Sequence, residues 1–131
     1  MELDHLGIAV ESVANALAAF EPTVRAKGSP IELVASQRAR VSFLEAGGPH
    51  LEFLEPTDPD SPIGKFLAKR GPGLHHIAFR VPSVDAALAE VRARGGRLVD
   101  ERARPGARGR PVGFAHPSAF VGTLVEFVEG P

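Results

Sequence analysis

Apolar and polar positions alternate in two stretches of the chain, and in both the alternation gives way to a helical period after a serine. In "LDHLGIAV" (Leu3 to Val10) a strand would put Asp4, Leu6, Ile8 and Val10 on one face and His5, Gly7 and Ala9 on the other. In "GLHHIAFRV" (Gly73 to Val81) His75 falls with Ile77, Phe79 and Val81, and His76 with Ala78 and Arg80. Behind each strand stands an N-cap candidate, Ser12 or Ser83, followed by an alanine- and leucine-rich helical run.

Sliding the chain by 71 positions lays Leu3–Phe20 over Leu74–Val91, with 8 of 18 residues identical, among them His5/His76, Ser12/Ser83 and Val13/Val84. Later, "HLEFLEP" (His50 to Pro56) resembles "LVEFVEG" (Leu124 to Gly130) at an offset of 74, which superposes Glu52 on Glu126 and Glu55 on Glu129. Matching alanines arise easily in helices; matching histidines and glutamates do not, so the chain reads as an internal repeat.

Each half is then strand, helix and three strands. The first half predicts strands over Glu2–Val10, Ile31–Ala35, Arg40–Leu44 and Leu51–Glu55 and a helix over Ser12–Phe20. The second predicts strands over Leu74–Val81, Arg97–Glu101, Val112–His116 and Thr123–Glu129 and a helix over Ser83–Arg94, with "RARPGARGRP" as a loop. Between them, "PTDPDSPIGKFLAKRGPG" carries a short helix capped by Ser61 with Pro62 at its first position. The predicted architecture is α+β: two tandem βαβββ modules, about 1–56 and 73–131, joined by a linker over 57–72 in one domain, with a metal site in the cleft of a curved mixed sheet.

Composition narrows the chemistry. The absence of cysteine excludes disulfides, thiol catalysis and Cys-built zinc sites, leaving His, Asp and Glu as metal ligands. A formal net charge of -1 offers no electrostatic pull toward nucleic acid or an anionic membrane. No apolar run approaches 18 residues and the first residues lack a signal-peptide pattern, so the expected location is the cytoplasm.

The bulky strand faces must pack against the module helices, so the small-residue faces bearing His5 and His76 are expected to open toward a ligand. Glu52 and Glu126, flanked by apolar neighbours in strands, would be costly to bury as lone carboxylates. Two imidazoles and two carboxylates related by the repeat suit a divalent transition metal such as cobalt, manganese, nickel, zinc or iron, with octahedral positions left for water or substrate. His75 reads as structural or as orienting a neighbour, and His50 and His116 have no repeat partner.

With these residues the whole chain resembles the vicinal oxygen chelate superfamily, which includes glyoxalase I, extradiol dioxygenases and antibiotic-resistance proteins. Within it, "LDHLGIAV", "DSPIGKFL" running into "GLHHIAF", and "FAHPSAFVGTLVEFVE" are most similar to its methylmalonyl-CoA epimerases. The resemblance implies metal ligands at His5, Glu52, His76 and Glu126, a homodimer, an acyl-CoA substrate and inversion at C2 of a 2-methylmalonyl thioester through an enolate. It makes Glu126 both ligand and base. A further glutamate found on the third strand in one branch has Val41 or Ser42 in its place, so Glu52 is the expected second base. Arg104, Arg108 and Arg110 of the arginine-rich loop, with His116, are candidates for coenzyme A contacts, although the lysine that often follows "HP" in the family is Ser118 here. Two other functions fit the same fold: a glyoxalase I-like reaction on a thiol hemithioacetal, and metal-free sequestration of a small molecule.

Overall fold

The computed structural model describes all residues, 1–131. By contact the chain divides into two compact units, His5–His75 on the one hand and Met1–Asp4 with His76–Pro131 on the other. Each contains the strand–helix–three-strand order that the repeat predicts.

In the first module β1 (Glu2–Ala9) is followed by α1 (Val13–Val24), β2 (Glu32–Val34), β3 (Ala39–Leu44) and β4 (His50–Pro56). The strand order is β2–β3–β4–β1, with β1 parallel to β4 and the other pairs antiparallel. Ser12 caps α1 by accepting the N–H of Asn15 at 3.1 Å. Val13, Leu44 and Phe53 form the buried core, with Leu17, Phe20 and Val24 packed against it and the Phe20 and Phe53 rings 5.0 Å apart. This packing explains why α1 runs past the expected stop at Phe20. The apolar stripe continues to Val24, and its burial outweighs the hydrogen bond that Pro22 cannot donate inside the helix.

The connection to the second module carries α2 (Pro62–Arg70). Ser61 is fully buried, donates to the Asp58 carbonyl at 2.8 Å and accepts the N–H of Gly64 at 3.0 Å. A Cβ at Gly64 would stand 2.6 Å from the carbonyl oxygens of Asp58 and Pro59, so only glycine allows this tight entry.

The second module comprises β5 (Gly73–Val81), α3 (Val84–Ala93), β6 (Arg104–Pro105), β7 (Pro111–Ala115) and β8 (Val125–Glu129), ordered β5–β8–β7–β6. Ser83 caps α3 as Ser12 caps α1, accepting the N–H of Ala86 at 3.2 Å. Val84 and Leu88 pack on Val81, Val125 and Phe127. Gly113 permits that approach, since a Cβ there would meet Leu88 Cδ1 at 2.8 Å and Val84 Cγ1 at 2.9 Å. On the opposite sheet face Ala78, Val112 and Val128 are buried together.

One expected strand does not form. Over Arg97–Glu101 there is a single bridge, Leu98 to Ala115, and the strand paired with β7 is the Arg104–Pro105 step inside the arginine-rich segment. The reason lies in Asp100, whose carboxylate accepts the Phe114 N–H at 2.9 Å and takes the place of a main-chain partner. No helix is long and apolar enough to cross a membrane.

Candidate metal centre and active site

In the first module the β1–β4 ladder sets Glu52 opposite Gly7, two residues along from His5 on the same face. Gly7 has no side chain to separate them, and His5 Nε2 lies 3.2 Å from Glu52 Oε1. Across the β3–β4 ladder Phe43 is the direct neighbour of Glu52. Its ring meets the His5 ring edge to face, centroids 5.6 Å apart at 87°.

The second module repeats this arrangement with its own residues. Glu126 pairs with Ala78 on β5 and Phe114 on β7, and His76 Nε2 lies 3.4 Å from Glu126 Oε1. The His76 and Phe114 rings meet at 5.4 Å and 84°. Each module thus builds the same trio of imidazole, carboxylate and phenyl on the sheet face turned away from its helix.

All four polar residues are buried: His5 is 3% exposed, Glu52 2%, His76 1% and Glu126 1%. The expectation that the histidines stand in open space is corrected by Phe43 and Phe114, which wall them in. Carboxylates so far from water need compensation, and imidazole nitrogens in contact supply part of it. The four form a His and Glu group of the kind that could hold a metal ion. Nitrogen and oxygen donors in equal number, with no sulfur, fit a divalent transition metal.

The remaining histidines have local partners. His75, half-buried, stands edge-on to Phe66 of α2 at 5.0 Å. His50 lies beside His5 in the β1–β4 ladder and its Nε2 is 2.9 Å from Glu45 Oε1. His116 caps the 3-10 turn Pro117–Phe120, its Nδ1 accepting the Ser118 N–H at 3.0 Å.

The arginines separate into different environments. Arg110 donates to both carboxylate oxygens of buried Asp4, at 3.0 and 3.2 Å, and to the Glu129 carbonyl at 2.9 Å, which gives it a bridging role inside the molecule. Arg108 is exposed, in a left-handed conformation with φ +58°. Arg104 lies with its Cζ 5.4 Å from the centre of the Phe114 ring and donates from Nε to Asp100 at 3.1 Å.

On β3, Val41 shares the face of Phe43, while Ser42 turns to the other face and donates to the Ser29 carbonyl at 2.6 Å. Of the two, Val41 is the one that shares the sheet face of Glu52. Its cross-strand neighbour on β2 is Glu32, a half-buried acid that sequence reasoning passed over. Phe43 and Phe114 were also missed, although "SFLE" and "GFAH" align at the same 71-residue offset as the histidines.

Duplicated βαβββ modules, each with a buried His–Glu pair on its sheet, define the glyoxalase-type class of fold. Residues 4–114 match the Glyoxalase/Bleomycin resistance protein/Dioxygenase superfamily. The chain is 35% identical over 126 residues to the mitochondrial methylmalonyl-CoA epimerase of Bos taurus, covering 95% of this chain and 71% of that one. It superposes on the crystal structure of methylmalonyl-CoA epimerase from Mycobacterium tuberculosis with a TM-score of 0.92 at 35% identity, covering 99% of this chain and 88% of that one. A structure of methylmalonyl-CoA epimerase in complex with methylmalonyl-CoA and ammonium gives a TM-score of 0.92 at 35% identity, with 98% and 94% covered. The chain belongs to this superfamily and, within it, to the methylmalonyl-CoA epimerase family.

Proposed function

We propose that the chain interconverts the (2R) and (2S) epimers of methylmalonyl-CoA, with His5, Glu52, His76 and Glu126 as ligands of one divalent metal. The observation that carries this reading is the pair of equivalent His–Glu contacts, 3.2 Å in one module and 3.4 Å in the other, each buried and each backed by a phenylalanine. Relatives that carry the epimerase name, one of them holding methylmalonyl-CoA, support the choice of substrate. A homodimer in the cytoplasm, implied by the family resemblance, completes the reading.

C2 of the substrate lies between a thioester and a free carboxylate, so its proton is the acidic one. Glu126 accepts that proton on one face: the C2–H bond breaks, the proton passes to a carboxylate oxygen, and the electron pair delocalises into the thioester as an enolate. Glu52, a carboxylate that has first taken up a proton from solvent, gives that proton to the opposite face of the enolate, and the new C2–H bond has inverted configuration. Proton exchange with solvent resets the two carboxyl groups. The metal, when bound, supplies positive charge that stabilises the oxyanion of the enolate. Phe43 and Phe114 hold the imidazoles edge-on and keep water from them.

The test is a substrate panel on metal-loaded and chelator-treated protein. Methylmalonyl-CoA is epimerised by the loaded protein, chelation abolishes turnover and added cobalt restores it. Turnover of a methylglyoxal–thiol hemithioacetal with none of methylmalonyl-CoA would overturn the proposal.

A further inference from the structure

Asp4 is a carboxylate with only 7% exposure, and the residue that follows it is His5. Burying a charge costs stability unless it is paired, and an apolar residue of like size would fill the same place without that cost. Asp4 is paired twice. Arg110 grips it as a fork, Nη2 donating to Oδ1 at 3.0 Å and Nη1 to Oδ2 at 3.2 Å, and Arg80 donates from Nε to Oδ1 at 3.2 Å. The Nε of Arg110 donates in turn to the main-chain carbonyl of Glu129 at 2.9 Å, so each nitrogen of this guanidinium has a partner. Asp4, Arg80, Arg110 and Glu129 belong to one compact unit, and His5 is the first residue of the other.

Neighbouring residues of a strand point to opposite faces, so a strand cannot roll about its axis at one of them without turning the next. A cation on one carboxylate oxygen fixes that oxygen alone. A fork on both fixes the plane of the carboxylate, and with it the roll of β1. Arg110 supplies the fork and is itself tied to the end of β8. The second module holds the corresponding residue by other means: at the 71-residue offset Asp4 falls on His75, next to His76, and the His75 ring stands edge-on to Phe66 at 5.0 Å. In both modules the residue before the histidine of the His–Glu pair is anchored on the face opposite that histidine.

Resting on the reading of His5 as a metal ligand, we infer that Arg110 is a positioning residue of the metal centre, its fork on Asp4 setting the direction of the His5 imidazole through the Asp4–His5 peptide. Arg110 then has a task inside the protein in place of a contact with the coenzyme. A lysine there would keep the charge and lose the plane, because an ammonium bonds as a point. Orientation is what the buried pair contributes, and it accounts for a carboxylate where an apolar side chain would pack as well.

The experiment measures cobalt(II) affinity, by competition with a chromogenic chelator, and the visible absorption of the bound cobalt in full-length protein. Wild type is compared with R110M, R110K, H5Q, the double variant H5Q/R110M, and E55A, a helix-anchor variant that controls for lost stability. R110M is expected to weaken cobalt binding about 10-fold and to alter the spectrum, the usual result of removing a group that orients a metal-bound histidine. R110K is expected to fall between R110M and wild type, and E55A to match wild type. Adding R110M to H5Q is expected to change affinity by less than about 2-fold, because the ligand that Arg110 positions is already gone. Wild-type affinity and spectrum in R110M would overturn the inference, and so would the same loss from R110M with and without His5, or an E55A protein weakened as much as R110M. If R110M does not fold, R110K decides: unchanged affinity and spectrum there contradict the inference. Wild-type protein that takes up no cobalt would instead remove the reading of His5 as a ligand.

Discussion

The carboxylate of Glu55, at the end of β4, accepts the backbone N–H of Val13, the first residue of α1, at 2.9 Å. Glu129 does the same for Val84 at the start of α3, also at 2.9 Å. Each module therefore closes its last strand onto its helix N-terminus through a glutamate, satisfying an orphan donor and placing negative charge at the positive end of the helix dipole. The repeated Glu at the ends of "EFLE" and "EFVE" is a helix anchor, distinct in task from the Glu three residues before it.

Replacing either anchor, E55A or E129A, is expected to lower stability by about 1–2 kcal/mol, the usual effect of losing a helix cap. Chemical denaturation measures it, and metal content stays at the wild-type value. A variant that kept full stability would show that the 2.9 Å contact contributes nothing.

The paired ligands make a different prediction. E52Q and E126Q replace a charged donor with a neutral one of the same shape and are expected to weaken metal binding by at least about 10-fold, with little loss of fold. Competition with a chromogenic chelator measures the change. E52Q that kept full epimerase activity would exclude Glu52 as the second base.

Val121 carries stored strain. It is fully exposed and adopts the left-handed conformation, φ +51°, a region that β-branched residues rarely enter. Its counterpart at the 74-residue offset is Gly47, φ +87°. V121G is expected to raise stability by about 0.5–1 kcal/mol, the relief of strain exceeding the entropy cost of glycine. A lowered melting temperature would contradict this.

Asp58 is held below the usual carboxylate value of 3.8, first by its side-chain hydrogen bond to Arg38 and also by the Arg38 charge and the Asp60 N–H. A carboxyl group with a lowered folded-state value stabilises the fold above pH 3.8, and the contribution is lost as pH falls through the lowered value. Carbon-detected NMR titration is expected to show Asp58 ionising below 3.8 and R38Q moving it back upward. An unchanged midpoint in R38Q would contradict the assignment.

How much of this was legible depends on how far each residue's role is written in residue type alone. His5, His76, Glu52 and Glu126 stood out because histidine and glutamate rarely recur by chance at repeat spacing, and the cap serines and the α2 entry followed from local chemistry. Phe43 and Phe114 were hidden because a phenylalanine in a strand reads as core, and only the ladders show them beside the ligand pairs. β6 was hidden because Arg104–Pro105 has loop composition, while Asp100 consumed the partner that the expected Arg97–Glu101 strand required. The end of α1 was masked by Pro22, which local propensity reads as a stop and tertiary packing overrides.

Proton NMR of (2R)-methylmalonyl-CoA in D2O with metal-loaded protein, beside E126Q and a chelated control, decides whether the chain is a metal-dependent epimerase. The C2 proton signal is expected to disappear as deuterium enters and both epimers to appear, with neither change in the chelated sample and no epimerisation by E126Q. A C2 signal that persists in the presence of metal-replete wild-type protein would contradict the epimerase reading.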